Sequence, residues 1–88
     1  MEVKIDQTFE KDLEKLKDGR LNKRVAKVIR KVQDISELTE IPQLTKLKGT
    51  KQLYRIRVGS YRLGLEIEGQ TVIFIRILHR KDIYKFFP

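Results

Sequence analysis

Apolar and polar side chains alternate along the second half of the chain, as in strands with one buried face. Over residues 53–58, one parity is apolar and the other carries Arg55 and Arg57. Gly59-Ser60 then has the length and residue type of a two-residue hairpin turn. Such a turn places Arg57 directly opposite Arg62. Because like charges that face each other destabilise a sheet, this pair predicts a site that holds an anion.

The first part of the chain follows a helical period instead. Thr8 is a candidate N-cap for a first helix, and Asp18-Gly19 is expected to end it. A second helix follows, whose apolar stripe consists of Leu21, Val25, Val28, Ile29, Val32 and Ile35. Its opposite face carries cations that we interpret as solvated, namely Lys23, Arg24, Lys27, Arg30 and Lys31. The two helices are expected to form an antiparallel hairpin.

The order of elements predicts an α+β fold. A short strand at 3–5 precedes the helices, and three strands are predicted at 53–58, 61–67 and 71–78. The segment 44–47 is a weaker candidate for the start of another strand. The last strand is apolar on both faces, which predicts a central position in the sheet. We therefore expect residues 1–88 to form a single domain of βααβββ order. In it, the N-terminal strand and helical hairpin pack on one face of a mostly antiparallel four-stranded sheet.

The arginine face of this sheet leaves two points open. A two-residue loop at Gly69 would place Ile73, Ile75 and Ile77 on the Arg62 face, whereas a three-residue loop would place Arg76 there. Gly64, at a strand centre on the same face, is expected to leave room for a ligand to approach the backbone.

The net charge of +8 is concentrated in the second half of the chain. Residues 1–44 carry ten Lys/Arg and nine Asp/Glu, a balance of +1, whereas residues 45–88 carry ten and three, a balance of +7. Arginine offers a planar fork of donors that matches phosphate, so nucleic acid or an acidic protein segment is the expected partner. The absence of cysteine excludes thiolate chemistry and disulfides. Without an apolar leader or membrane-spanning run, a soluble, cytoplasmic protein is expected.

The residues that could perform chemistry are few. His79 is the only histidine, so no metal site based on histidines is expected, and no cofactor is indicated. Glu66, Glu68 and Asp82 are the only carboxylates of the basic half, too few for two-metal phosphodiester cleavage. A metal-free route remains, in which the 2′-hydroxyl of RNA attacks the adjacent phosphate while cations stabilise the phosphorane.

The sequence resembles the RelE/ParE superfamily of bacterial toxin–antitoxin toxins, and specifically its RelE-like branch. The resemblance rests on the arginine hairpin at 54–63, the stretch Leu47-Lys48-Gly49 before it, and the ending His79-Arg80-Lys81-Asp82-Ile83-Tyr84. It implies the toxin of a type II toxin–antitoxin system that acts as a ribosome-dependent mRNA endoribonuclease. It also implies a cognate antitoxin, the ribosome and mRNA as partners.

The resemblance implies an active site formed by Arg55, Arg57, Arg62, Arg80 and Tyr84, to which we add His79, Lys48 and Lys81 as candidates. Catalytic roles fall on Arg62, Arg80, His79 and Tyr84. RNA or phosphate contacts fall on Arg55, Arg57, Lys48 and Lys81. RelE-type toxins can carry lysines where this chain has Arg55 and Arg57, and an arginine cannot act as a base at ordinary pH. We therefore expect His79 or Tyr84 to take the proton, with His79 kept neutral by its cationic neighbours.

Two other functions fit the same resemblance. ParE-type toxins share the fold and bind DNA gyrase without cutting RNA. A translation inhibitor that binds RNA without cleaving it would also use the arginines. The ending Arg80…Tyr84 favours the RelE type.

Overall fold

Two helices of unequal length follow the first strand in the structure, a computed structural model that describes all of residues 1–88. Helix α1 spans Gln7–Leu16, and α2 spans Gly19–Asp34. The N-cap of α1 is Asp6, so the prediction of Thr8 was wrong by two residues. The pair Asp18-Gly19 begins α2 instead of ending α1, since the Asp18 side chain accepts from the backbone N–H groups of Arg20 and Leu21. No helix is both long enough and apolar enough to cross a membrane.

The sheet has five strands in the order β1-β5-β4-β3-β2. They are β1 Glu2–Ile5, β2 Leu44–Lys46, β3 Leu53–Val58, β4 Tyr61–Glu68 and β5 Thr71–His79. Strand β1 pairs parallel with β5, and the other pairs are antiparallel. The predicted α+β fold is confirmed, but the count of four strands was one too low, because the segment at 44–46 pairs with β3. Strand β5 is an interior strand, although the middle position belongs to β4.

The main core lies between the helices and one face of the sheet. The predicted stripe of α2 supplies four buried side chains, Leu21, Val25, Val32 and Ile35. The sheet contributes Ile56 and Val58 from β3, Leu63, Leu65 and Ile67 from β4, and Val72, Phe74 and Ile77 from β5. The arginines of β3 have the opposite parity, so they lie on the other face.

A β-bulge in β5 settles where Arg76 lies. The β4–β5 turn has two residues, since Glu68 pairs with Thr71, but the register shifts between Gly64 and Leu65. The extra residue is Ile75, and after it Arg76 lies opposite Gly64 while Ile77 lies opposite Leu63 in the core. The expectation for a two-residue loop was therefore wrong for Ile77, because an unbroken alternation was assumed.

The C-terminal segment covers part of the second sheet face. After β5 the chain forms a short helix, α3, at Ile83–Phe86. Ile83 and Phe87 are buried with Leu47 in a small second core, against which Leu53, Ile75 and Leu78 pack. A Cβ on Gly64 would lie 2.8 Å from three carbon atoms of the Phe87 ring. The space over Gly64 therefore holds Phe87, and the expectation of a ligand there was wrong.

Candidate phosphate-binding site

The part of the second sheet face that α3 leaves open carries the arginine hairpin. Arg57 lies directly opposite Arg62, as the turn chemistry predicts. Gly59 has φ of 59°, a conformation that glycine adopts at little cost, which closes the turn in two residues. A cleft of about 220 Å³ lies on this surface, lined by Gln43, Thr45, Arg55, Arg57, Arg62 and Tyr84. We call it the tyrosine cleft.

Tyr84 is brought to the arginines by α3. Its neighbours Ile83 and Phe87 are buried, whereas Tyr84 itself is 71% exposed. The guanidinium carbon of Arg55 lies 4.4 Å from the centre of the Tyr84 ring, a cation–π distance. Nε of Arg55 is buried and has no hydrogen-bond partner within the protein. An unpaired buried donor is costly, which favours a shift of Arg55 that would bring this atom to a ligand acceptor.

A second cleft adjoins the first around the β3–β4 turn. It has a volume of about 390 Å³ and is lined by Arg24, Gln43, Arg57, Gly59, Arg62 and Arg80. We call it the arginine cleft. Nη1 of Arg62 donates to the carbonyls of Gly59 (3.0 Å) and Tyr61 (2.9 Å), and the backbone N–H of Arg80 donates to the Ser60 carbonyl (2.8 Å). The turn thus fixes both arginines beside the cleft.

Neither cleft is lined by a carboxylate. The only ion pair in the structure joins Arg76 to Asp12, with Nε and Oδ2 2.8 Å apart. The hydrogen bond that Arg76 donates to the Asp12 carboxylate raises the pKa of Arg76 above its ordinary value, against the opposing effect of partial burial. The cleft arginines therefore remain without an internal counter-ion, and their mutual repulsion favours binding of an anion.

The structure brings together Arg55, Arg57, Arg62, Arg80 and Tyr84 of the predicted site residues. Lys48 lies close to them, since it lines a neighbouring cleft of about 420 Å³ together with Arg55 and Tyr84. Lys81 is exposed and lines none of these three clefts.

His79 is not brought to the arginines. It pairs with Tyr61, and directly paired residues share a sheet face. Tyr61 packs against the main core on the helix side, and its ring meets that of His79 edge-on at 5.7 Å. Nδ1 of His79 accepts the backbone N–H of Lys81 at 3.2 Å. The geometry therefore favours Tyr84 over His79 for proton transfer.

Two residues of the clefts were missed. Gln43 lines both clefts, and Arg24 lines only the arginine cleft. Arg24 falls on the exposed face of α2 by helical spacing, so its periodicity predicts only solvation. Gln43 precedes a short strand, and no sequence pattern marked it. Its φ is 61°, in the left-handed region, and its carbonyl accepts the N–H of Arg57 at 3.3 Å. Non-glycine residues held in that region often occur at functional sites.

Comparison with known proteins identifies the family. A sequence model of the family described as "ParE toxin of type II toxin-antitoxin system, parDE" matches residues 3–84. Toxin RelE3 of Methanocaldococcus jannaschii is 44% identical over 89 residues, which cover all of both chains. The chain belongs to the RelE/ParE superfamily of toxins. It is the RelE-like toxin of a type II toxin–antitoxin system.

Solved structures agree with this assignment. The toxin matches a chain of the RelB–RelE antitoxin–toxin complex from Methanococcus jannaschii with a TM-score of 0.82 and 44% identity, covering 97% of this chain and 99% of that one. It also matches a chain of the RelBE2 toxin–antitoxin complex from Mycobacterium tuberculosis with a TM-score of 0.72 and 26% identity, over 90% and 96% of the two chains. The fold and the RelE-like resemblance predicted from the sequence are thereby confirmed.

Proposed function

We propose that the toxin is a ribosome-dependent endoribonuclease that cleaves mRNA without a metal ion or other cofactor and so inhibits translation. The observation that carries the proposal is the meeting of Arg57, Arg62 and Tyr84 in one open cleft that no carboxylate lines. Cations at this density suit the charge of a phosphodiester, and a phenol beside them can transfer a proton. The role of the ribosome rests on the family resemblance.

In the proposed reaction the 2′-hydroxyl of a nucleotide attacks its own 3′-phosphate. The oxygen–phosphorus bond that forms replaces the bond to the 5′-oxygen of the next nucleotide. The 2′-hydroxyl loses its proton to a base and the departing 5′-oxygen gains one from an acid, with water in whichever of these two roles Tyr84 does not fill. Arg57 and Arg62 stabilise the charge on the phosphorane from the sheet, and Arg80 does so from the end of β5. Arg55 adds its positive charge beside Tyr84, and Lys48 and Lys81 serve as outer contacts to phosphate.

Tyr84 carries out one of the two proton transfers in this proposal. The arginines that line the tyrosine cleft cannot give up a proton at ordinary pH. Since His79 lies on the helix side of the sheet, the phenol of Tyr84 is the group best placed to act as acid or base. Its exposed ring can also stack on a base of the RNA, as in other single-strand sites.

A purified translation system with primer extension tests the proposal. The wild-type toxin is expected to cut mRNA at defined codon positions, and an mRNA with a 2′-deoxynucleotide at the cut site is expected to resist. Arg62→Ala and Arg80→Ala should each slow cleavage by about 100-fold, as for the loss of one transition-state donor. Arg30→Ala, on the exposed face of α2, is the charge-matched control. Intact mRNA despite blocked translation would favour the non-catalytic RNA-binding alternative.

Gyrase inhibition is the second candidate, because the matching family model is named for ParE. ParE-type toxins bind gyrase, so the wild type would block supercoiling of plasmid DNA while leaving mRNA intact. Active supercoiling in the presence of the toxin removes this candidate.

We also infer a cognate antitoxin as partner. Two of the similar solved structures are complexes of a RelE toxin with a RelB antitoxin. The balance of +7 in the second half of this chain suits an acidic segment that covers the arginine clefts. Such a segment would exclude RNA by occupying the same cations.

A further inference from the structure

Arg24 reaches from α2 to the tip of the arginine hairpin. A Cβ on Gly59 would lie 2.7 Å from Nη1, 3.5 Å from Cζ and 3.6 Å from Nη2 of Arg24. The guanidinium therefore rests on the bare backbone of Gly59, in a place that any larger residue would disturb. This contact holds a helix cation beside the sheet arginines.

The arginine cleft gathers four guanidinium groups from three separate elements. Arg24 comes from α2, Arg57 and Arg62 from the hairpin, and Arg80 from the end of β5. None of the four is ion-paired. Folding thus collects four like charges without an internal partner, which an anion at the centre would relieve.

The two clefts share part of their lining. Arg57, Arg62 and Gln43 line both, whereas Tyr84 lines only the tyrosine cleft and Arg24 and Arg80 line only the arginine cleft. A phosphate between Arg57 and Arg62 therefore has a second cationic compartment directly beside it. This is the arrangement that neighbouring phosphates of one strand require.

We propose that Arg24 extends the arginine cleft into a second phosphate subsite, which holds the phosphodiester adjacent to the one that Arg57, Arg62 and Arg80 contact. The ligand is a single RNA strand that runs from Tyr84 across the hairpin tip toward α2. The inference rests on the proposed function in taking RNA as the substrate. Arg24 would then be a positioning residue, since it holds the strand without touching the reacting phosphate.

Oligonucleotides of different length test the subsite. The probes are uridine dinucleotide and trinucleotide with 2′-O-methyl riboses, which carry one and two phosphodiesters and cannot be cleaved. Binding to ¹⁵N-labelled toxin is followed by NMR titration at low salt. Arg24→Ala is expected to weaken binding of the trinucleotide by about five- to tenfold, the effect of one charge-assisted contact, and to leave the affinity for the dinucleotide unchanged. Arg57→Ala should weaken binding of both.

Lys27→Ala is the matched control. Lys27 is also exposed on α2 and carries the same charge, but it does not line the arginine cleft. The Lys27→Ala toxin should bind both oligonucleotides with affinities within about twofold of wild type if long-range charge effects are screened. A longer single strand adds a second readout, because Arg24→Ala should lower the salt slope of its binding by about 0.7.

The outcomes separate the two proposals. An equal loss for both oligonucleotides, or no loss for either, would overturn the second subsite while the cleavage assay still stands. If the wild-type toxin fails to cut mRNA but Arg24→Ala weakens only the trinucleotide, the proposed function fails and the subsite for RNA phosphate holds.

Discussion

Replacement of Gly64 by alanine is expected to release the C-terminal helix from the sheet. Gly64 lies near the centre of β4 and is buried under the Phe87 ring. An alanine Cβ there would lie 2.8 Å from Cγ, Cδ1 and Cδ2 of Phe87. The contact is with a ring instead of the flexible end of a side chain, and the strand backbone beneath it is held by pairing on both sides. Phe87 therefore has to move.

The size of the effect follows from the cheaper of two responses. Forcing one extra methyl into a packed core costs about 1–3 kcal/mol. Releasing Phe87 costs about the burial energy of one aromatic side chain, roughly 1.5–3 kcal/mol. Because the structure adopts the cheaper response, release of Phe87 is the ceiling on the cost. We expect a loss of about 2 kcal/mol, most of it from local undocking of α3.

Two measurements check this expectation. Urea unfolding gives the change in the free energy of unfolding, and hydrogen exchange reports the protection of the amides of Lys85, Phe86 and Phe87, which donate to carbonyls within the same segment. Cleavage should fall together with that protection, because α3 carries Tyr84. Gly19→Ala is the matched control, since a Cβ there meets no atom within 4 Å.

A double-mutant cycle isolates the contact. In a Phe87→Ala background, Gly64→Ala should cost less than about 0.5 kcal/mol, because the ring it displaces is gone. Full stability of Gly64→Ala together with unchanged amide protection in the last segment would refute the reasoning. An undiminished cost in the Phe87→Ala background would refute it as well, since the clash would then lie elsewhere.

Four further outcomes are expected. Asp12→Asn should destabilise the toxin by about 2–3 kcal/mol in urea unfolding, since Asp12 accepts from Nε and Nη2 of Arg76 and from the Ile77 N–H. Because the pKa of Arg76 is raised, its own titration contributes no change in stability from about pH 6 to 10 and matters only in strong alkali. Tyr84→Phe and Tyr84→Ala should both cleave about 100-fold more slowly than wild type if the phenol transfers a proton, whereas His79→Ala should cut at the wild-type rate. The toxin–antitoxin complex should melt above the free toxin and should weaken as salt rises, and insensitivity to ionic strength would count against electrostatic capture.

The sequence predicted those parts of the fold that depend on local patterns. The stripe from Leu21 to Ile35 identified α2, and the alternation around Gly59 gave the register of the arginine hairpin. It missed β2 as a paired strand, because three residues carry too little alternation to distinguish a strand from a loop. It also missed the bulge at Ile75, because an apolar run looks the same in either register.

The same limits apply to the candidate site. Arg55, Arg57, Arg62 and Tyr84 were predicted together, and the structure places them together. Arg24 was missed because its approach to Gly59 depends on how α2 packs on the sheet, which helical spacing alone does not give. His79 was a candidate for proton transfer because of its chemistry alone, which does not tell on which face of the sheet the side chain lies. Its pairing with Tyr61 supplies that face.

The second sheet face shows how the fold couples stability to the site. Its apolar half, at Leu53, Ile75 and Leu78, receives Ile83 and Phe87, while its basic half stays open. The small helix between these anchors places Tyr84 over Arg55, so two buried side chains set the position of an exposed one. A cluster of unpaired arginines alone would bind any phosphate. The apolar anchors add a phenol at a fixed place among those arginines. Its ring could serve binding alone by stacking on a base, but its hydroxyl is required only for reaction.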